Sequence, residues 1–258
     1  MGSVRVVQLT DLHLLKTPGE LLYGVDSGAA LEQAVIQLSA LNPKPSALVL
    51  TGDIAQDGEP MSYHRVAEIL KCLQVPIYAL PGNHDDLTNM RAAWSETNIA
   101  ILQTVSWHQW SCIPIDSTIA GRDHGNIDET RLRQLQQALA QAGSHHVLIA
   151  LHHGPSYHCS AFDCLLQNRD QLLQLLSQYP CVKGVIAGHI HCHGDETVNA
   201  IRLMATPSSF LHVTHHSRDP NTDHSDVRAT HTIDGSKRGY RLIDLHESGT
   251  ISTAVHWF

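Results

Sequence analysis

Apolar residues along the chain fall into short runs that alternate with longer stretches of helical period. Residues 4–9 form a β-branched run that stops at Thr10-Asp11, which predicts a strand and then a loop. From Ser27, apolar residues recur at Ala30, Leu31, Ala34, Val35, Leu38 and Leu41, a helical spacing ended by Asn42-Pro43. Residues 47–50 predict a second strand, closed by Thr51-Gly52-Asp53. Residues 60–73 read as a helix, and 76–80 as a third strand closed by Pro81-Gly82-Asn83-His84-Asp85. Strand followed by helix, repeated, predicts an α/β chain whose sheet has a parallel part.

The second half continues the pattern. A short strand is predicted at 113–115. An amphipathic helix is predicted over 128–142, with Asp128 as N-cap and Gly143 just past its end. A strand at 147–151 runs into His152-His153-Gly154-Pro155, a helix covers 169–179, and a strand at 182–187 runs into Gly188-His189-Ile190-His191. After that the character changes. Residues 201–206, 239–245 and 250–257 predict strands with no helix between them. The polar stretch 207–237, rich in Ser, Thr, Asp and His, is expected to be a mobile loop. No repeat or linker divides the chain, so residues 1–258 read as one domain with a β-rich C-terminal part.

The formal net charge of -8 removes any general attraction to nucleic acid or to an anionic membrane. A small anionic substrate therefore needs local positive charge, which bound metal ions can supply. No apolar run approaches the roughly 20 residues of a membrane span, and the first residues already read as a strand, not a secretory signal. The six cysteines (Cys72, Cys112, Cys159, Cys164, Cys181, Cys192) form no CxxC pair and are expected to be thiols of a reducing cytoplasm. A homo-oligomer is compatible with this composition. The outlier is histidine, with 20 in the chain.

Position explains some of them. Each predicted strand ends in a metal-capable group: Asp11 and His13, then Asp53, then Asn83 and His84, then His152, then His189 and His191. In open α/β sheets ligands bind beyond the carboxyl ends of the strands, so these loops can deliver their side chains to one place. Two divalent cations about 3.5–4 Å apart need a shared anionic ligand, and a carboxylate such as Asp53 suits that role. Imidazole with carboxylate or amide oxygen suits iron, manganese or zinc. Asp57 and Asp85 follow the motifs closely and are expected to cap turns or orient ligands.

In order and context, Asp11-x-His13, Gly52-Asp53, Gly82-Asn83-His84-Asp85, His152-His153 and Gly188-His189-x-His191 resemble the five-block motif of calcineurin-like metallophosphoesterases. The text around Gln8-Leu9-Thr10-Asp11-Leu12-His13-Leu14, Leu22-Tyr23-Gly24-Val25 and Met204-Ala205-Thr206-Pro207-Ser208 is closer still to bacterial class III 3',5'-cyclic AMP phosphodiesterases of the CpdA or Icc type. The resemblance implies a four-layer αββα sandwich of two mixed sheets. It implies one metal held by Asp11, His13, Asp53 and His191, and a second held by Asp53, Asn83, His152 and His189. His84 is then not a ligand but a catalytic group at the scissile phosphate, and His153 supports the site without ligating. His13, Asn83, His84 and His191 would border a bound nucleotide.

The expected function is hydrolysis of 3',5'-cyclic AMP to 5'-AMP by in-line attack of a metal-bridging hydroxide, with Asp53 and His84 as catalytic residues. A rival keeps the same centre for another ester, such as a glycerophosphodiester or a 2',3'-cyclic nucleotide. A non-catalytic scaffold on this fold is disfavoured, because all eight motif positions hold competent groups. His124 is expected to be an idle loop residue. His145, His146, His158, His193, His212, His215, His216, His224 and His231 are expected on the surface. Arg218, Arg228, Lys237 and Arg238 near the polar segment are expected to be surface charge, the alternative being that they supply the cationic groups that the net charge lacks.

Overall fold

The computed structural model describes residues 2–156, 165–215 and 231–258. The expectations for Cys159 and Cys164, for His158, His216 and His224, and for Arg218 and Arg228 lie outside these residues.

In chain order the elements are β1 (Ser3–Leu9), β2 (Leu21–Leu22), β3 (Val25–Asp26), α1 (Ser27–Ser39), β4 (Ala47–Thr51), α2 (Pro60–Leu70), β5 (Ile77–Leu80) and α3 (Leu87–Ala93). Then come β6 (Ile99–Ile101), β7 (Val105–Trp107), β8 (Trp110–Pro114), α4 (Glu129–Gln141), β9 (His146–Ala150), α5 (Arg169–Ser177) and β10 (Val182–Ala187). The last are β11 (Gly194–Val198), β12 (Ile201–Ala205), β13 (His212–His215), β14 (His231–Asp234), β15 (Gly239–His246) and β16 (Ile251–Trp257). Three helices, α1, α3 and α4, start at a capping carboxylate (Asp26, Asp86 and Asp128), the last of them expected from the sequence. Asp26 accepts from Ala29 N at 3.1 Å and Asp128 from Arg131 N at 2.8 Å, each satisfying an otherwise unpaired donor of the first turn.

Two six-stranded sheets form, ordered β16-β15-β1-β4-β5-β6 and β11-β12-β10-β9-β8-β7. Strands β1, β4, β5 and β6 run parallel, as do β12, β10, β9 and β8. Antiparallel β15 and β16 complete one sheet, and β11 and β7 the edges of the other. Both sheets are mixed, as expected.

Strand alternation builds the layers. Val4 and Val6 of β1 and Val49 of β4 pack with Leu148, Ala150 and Ile186 of the second sheet. Val7 and Leu9, one residue out of phase, pack with Leu48, Leu50 and residues of α1, α2 and α3. On the far side Val147 and Ile149 of β9 pack with Leu135 of α4 and Leu172 of α5. Three apolar seams thus hold four layers, αββα, each fully buried aliphatic side chain adding about 1.5–3 kcal/mol. The carboxyl ends of β1, β4 and β5 in one sheet, and of β9 and β10 in the other, send their loops to a common edge.

One expectation changes. Within the stretch 207–237, Ser208, Ser209, Phe210 and Leu211 are buried, and β13 and β14 pair antiparallel with Val213 opposite Ile233. Residues 216–230 of that stretch lie outside the described residues. No helix among the described residues is long and apolar enough to cross a membrane.

Candidate metal centre

The β1–β4 ladder continues past the ends of both strands. Asp11 N donates to Gly52 O (3.0 Å), His13 N to Asp53 O (2.9 Å) and Leu14 N to Ile54 O (3.0 Å). Held this way, Asp11, His13 and Asp53 adopt left-handed φ values of 53°, 46° and 50°. His189 and His191, after β10, do the same at 73° and 52°. Each such residue costs on the order of 1–3 kcal/mol and persists only where its surroundings enforce it. Five of the eleven non-glycine residues with positive φ among the described residues therefore meet at one edge of the molecule. Two glycines permit the approach. Gly52 has φ 93°, and a Cβ there would stand 2.5 Å from His152 Nδ1; a Cβ on Gly82 would run into the Asp53 carboxylate.

The side chains converge. Asp53 Oδ2 lies 3.6 Å from His13 Nε2 and 3.2 Å from His152 Nε2. His152 Nε2 is also 3.1 Å from Asn83 Oδ1. His191 Nε2 is 3.4 Å from Asp11 Oδ1 and 3.0 Å from His13 Nε2. Oxygens outside the cluster set the tautomers. His152 Nδ1 donates to Thr51 O (2.8 Å), His84 Nδ1 to Gln56 O (2.9 Å) and His13 Nδ1 to Gln56 Oε1 (2.8 Å). In each ring Nε2 is left as the atom available to the centre. Asp11 accepts from His189 N through both oxygens at 3.0 Å, which ties the β10 loop to the β1 loop.

The electrostatics ask for cations. Asp11 and Asp53 are almost fully buried, at 0% and 2% exposure, and no Lys or Arg lines the cavity above them among the described residues. Burial would raise both carboxyl pKa values, but His191 beside Asp11 and His152 beside Asp53 outweigh it and hold both low. Burial lowers His13 to about 4 and His189 to about 3, so both rings are neutral and carry a lone pair. His152 is opposite in sign: burial lowers it, Asp53 overrides, and its pKa is pushed up to about 9. Its Nε2 faces two oxygens, a demand that a proton meets and a metal ion meets equally. The facing Nε2 atoms of His13 and His191 would repel if both offered lone pairs with nothing between them. Buried His189 Nε2 and His191 Nδ1 have no hydrogen-bond partner. Ligand atoms of Asp11, His13 and His191, and of Asp11, Asp53 and His152, lie within 4.8 Å of one another. The donor set therefore fits hard-to-borderline metal ions.

A family model for calcineurin-like phosphoesterases matches residues 4–193. The chain belongs to the calcineurin-like phosphoesterase family. It is thus a metallophosphoesterase, an enzyme of a metal-dependent hydrolase family built around a dinuclear metal site. It is 33% identical over 258 residues, 99% of this chain and 90% of the other, to the 3',5'-cyclic adenosine monophosphate phosphodiesterase CpdA of Escherichia coli (strain K12). It is also 33% identical over 212 residues, 79% of this chain and 77% of the other, to the probable glycerophosphodiester phosphodiesterase GpdQ of Arcobacter nitrofigilis. Among solved structures, a dimetal phosphatase from Danio rerio superposes with a TM-score of 0.65 at 16% identity, covering 97% of this chain and 98% of that one.

Within this phosphoesterase all eight motif residues come together. His84 also falls in a group with His13 and Asp53 whose ligand atoms lie within 4.8 Å, so proximity alone does not separate ligand from catalytic group. His153 is fully occupied. Its Nε2 donates to Asp123 O (3.2 Å), and its Nδ1 accepts from Ser117 Oγ (2.9 Å). Asp85 accepts from the amides of Ile54, Ala55 and Gly82 and from Tyr63 Oη.

Asp123 lines the cavity and its neighbour His124 does not; the lining also reaches Gln56, Phe210, His215 and His231. His215 and His231 are therefore cavity residues and not merely surface ones. Lys237 lies over the Trp257 ring at 4.2 Å and Arg238 donates to Gly235 O; neither lines the cavity. Gln56, Thr51 and Ser117 also hold the rings in place, and the sequence alone does not single them out. They act through backbone carbonyls or on the far side of a ring, and leave no spacing signal.

Proposed function

We propose that this phosphoesterase hydrolyses 3',5'-cyclic AMP to 5'-AMP, and that the whole chain serves as one domain in doing so. In this reading Asp11, His13, Asp53 and His191 hold one metal ion, and Asp53, Asn83, His152 and His189 hold the other. The position of Asp53 Oδ2 between His13 and His152 supports a shared carboxylate. Two ions bound there, of iron, manganese or zinc, would make a water nucleophilic at neutral pH and offset charge gathering on the phosphoryl oxygens.

The chain's own residues orient and protonate. His84 is anchored through Nδ1–H, so the ring in its imidazolium form would give the Nε2 proton to the departing 3'-oxygen and be left neutral, still donating to Gln56 O. Loss of that oxygen leaves the phosphate on the 5'-carbon. His13, Asn83 and His191 border the same cavity and flank the bound ester.

The observation that carries cyclic AMP is identity spread over nearly the whole length to the Escherichia coli phosphodiesterase named for it. Glycerophosphodiesters are the second reading, favoured by equal identity to the Arcobacter relative over a shorter span. The test is a kcat/KM panel on manganese- or iron-loaded protein: 3',5'-cyclic AMP, 2',3'-cyclic AMP and glycerophosphoethanolamine. Cyclic AMP should give 5'-AMP, not 3'-AMP, with the highest value. If either other ester leads by tenfold or more, about 1.4 kcal/mol in transition-state binding, the cyclic AMP assignment is wrong.

A further inference from the structure

The cavity above the metal centre encloses about 390 Å³, within the usual range for a small-molecule site. Its floor is the histidine cluster. Its upper walls come from two small hairpins that the family motif does not include. One is β2–β3, where Leu22 pairs with Val25 across a two-residue turn made of Tyr23 and Gly24. The other is the β13–β14 ribbon, whose paired residues Val213 and Ile233 both line the cavity, as do the paired residues His215 and His231. Strand alternation puts both pairs on one face, so the ribbon turns an apolar rung and a histidine rung inward. The hairpins touch: a Cβ on Gly235, just past β14, would stand 2.6 Å from Val25 Cγ2.

Tyr23 is the anomaly. Both turn residues have positive φ, 50° at Tyr23 and 77° at Gly24. A two-residue hairpin loop of that kind is supplied at least cost by Asn-Gly, Asp-Gly or Gly-Gly. A bulky aromatic residue at positive φ is an outlier that the turn itself does not require. Nor does packing require it, since Tyr23 is 70% exposed. A strained, exposed ring at the mouth of a cavity points to a ligand, and the other positive-φ residues at this edge are the proposed metal ligands and their neighbours.

We infer that Tyr23 is the platform on which the planar base of the substrate stacks, with Val213 and Ile233 forming the opposing apolar wall. This rests on the proposed hydrolysis of a nucleotide ester and adds the part of the site that recognises the base. A ring at that mouth gives flat, apolar contact that any purine face can use, while the metals hold the phosphate. It also separates the two substrate readings physically, because a glycerol or ethanolamine arm has no face to stack.

The test measures binding of 5'-AMP and of ribose 5-phosphate to the manganese-loaded full chain by calorimetry. The two probes share phosphate and ribose, and only one carries a base. Tyr23→Asn keeps a residue the turn favours and removes the ring; Tyr23→Phe keeps the ring. Tyr23→Asn should weaken 5'-AMP about tenfold, on the scale of one lost stacking contact, and leave ribose 5-phosphate within about twofold. Tyr23→Phe should match the unaltered chain for both. For cyclic AMP turnover, Tyr23→Asn should raise KM with little change in kcat, the mark of lost uniform binding. Equal weakening of both probes would show that Tyr23 only shapes the pocket, and no weakening of 5'-AMP would show that it does not touch the base; either overturns the inference. Turnover of cyclic AMP by the unaltered chain reports separately on the substrate reading, whatever the ratio of the two affinities.

Discussion

A single carboxylate oxygen, Asp53 Oδ2, has an imidazole nitrogen on either side of it, His13 Nε2 at 3.6 Å and His152 Nε2 at 3.2 Å. The other oxygen, Oδ1, accepts from His84 N at 3.0 Å, so the group cannot swing away from either ring without losing an amide donor. His84 is close to this pair but is tied back by Gln56 O. The two residues therefore differ in what their loss should do. Asp53→Ala should leave the chain without either metal by elemental analysis. His84→Ala should keep both, with kcat down roughly 10²–10⁴-fold, the usual scale for a positioned acid or base. A His84→Ala protein as poor in metal as the Asp53 variant would make His84 a ligand. The converging side chains are legible in the sequence because each follows the end of an apolar run. Their supports are not. Gln56 acts on His13 through its side chain and on His84 through its carbonyl, and a carbonyl has no sequence signature.

The loops that carry these residues are held by Asp85 as much as by the strands. Its carboxylate collects the amides of Ile54 and Ala55 from the β4 loop, that of Gly82 from its own loop, and the Tyr63 hydroxyl from α2. Burial, with Asp53 near, pushes its pKa up to about 6, against the pull of those three amides. Asp85→Ala would strand donors on buried residues, at a net cost of about 2–4 kcal/mol in urea unfolding. A loss below about 1 kcal/mol would mean that water replaces the carboxylate freely, and that the two loops do not depend on it. Sequence pattern found the elements with strong periodicity: α1, α4 and β10 fall within a residue or two of expectation. It missed α3, which has seven residues, and the edge strands β6 and β7, which have three each. The β13–β14 ribbon carries no strand signal in the sequence, because His and Thr make up most of the two strands and mask their alternation. Its inward face is set by the pairing of Val213 with Ile233, which are far apart in the chain.

At the scale of the whole molecule the centre belongs to neither sheet. Asp11, His13, Asp53 and Asn83 come from loops of the first, and His152, His189 and His191 from loops of the second. The joint beneath them is polar, unlike the apolar seam between the sheets. Gln8 bonds Thr51 Oγ1 and Ala187 O, Thr206 Oγ1 donates to Gln8 Oε1, and buried Arg241 donates to Thr206 Oγ1 and to the carbonyls of Gly194 and Ala205. That network ties β1 to the end of β10, and so links the loops that carry the two groups of side chains. The sandwich was foreseeable through family resemblance. The meeting of two sheets at this joint was not, since no local pattern encodes which faces pack together. The most direct measurement is anomalous diffraction from crystals of the manganese-loaded protein. Two peaks about 3.5–4 Å apart are expected, flanking Asp53, one beside His13 and His191 and the other beside His152 and His189. A single peak, or two peaks that do not share Asp53, would contradict a centre bridged by Asp53.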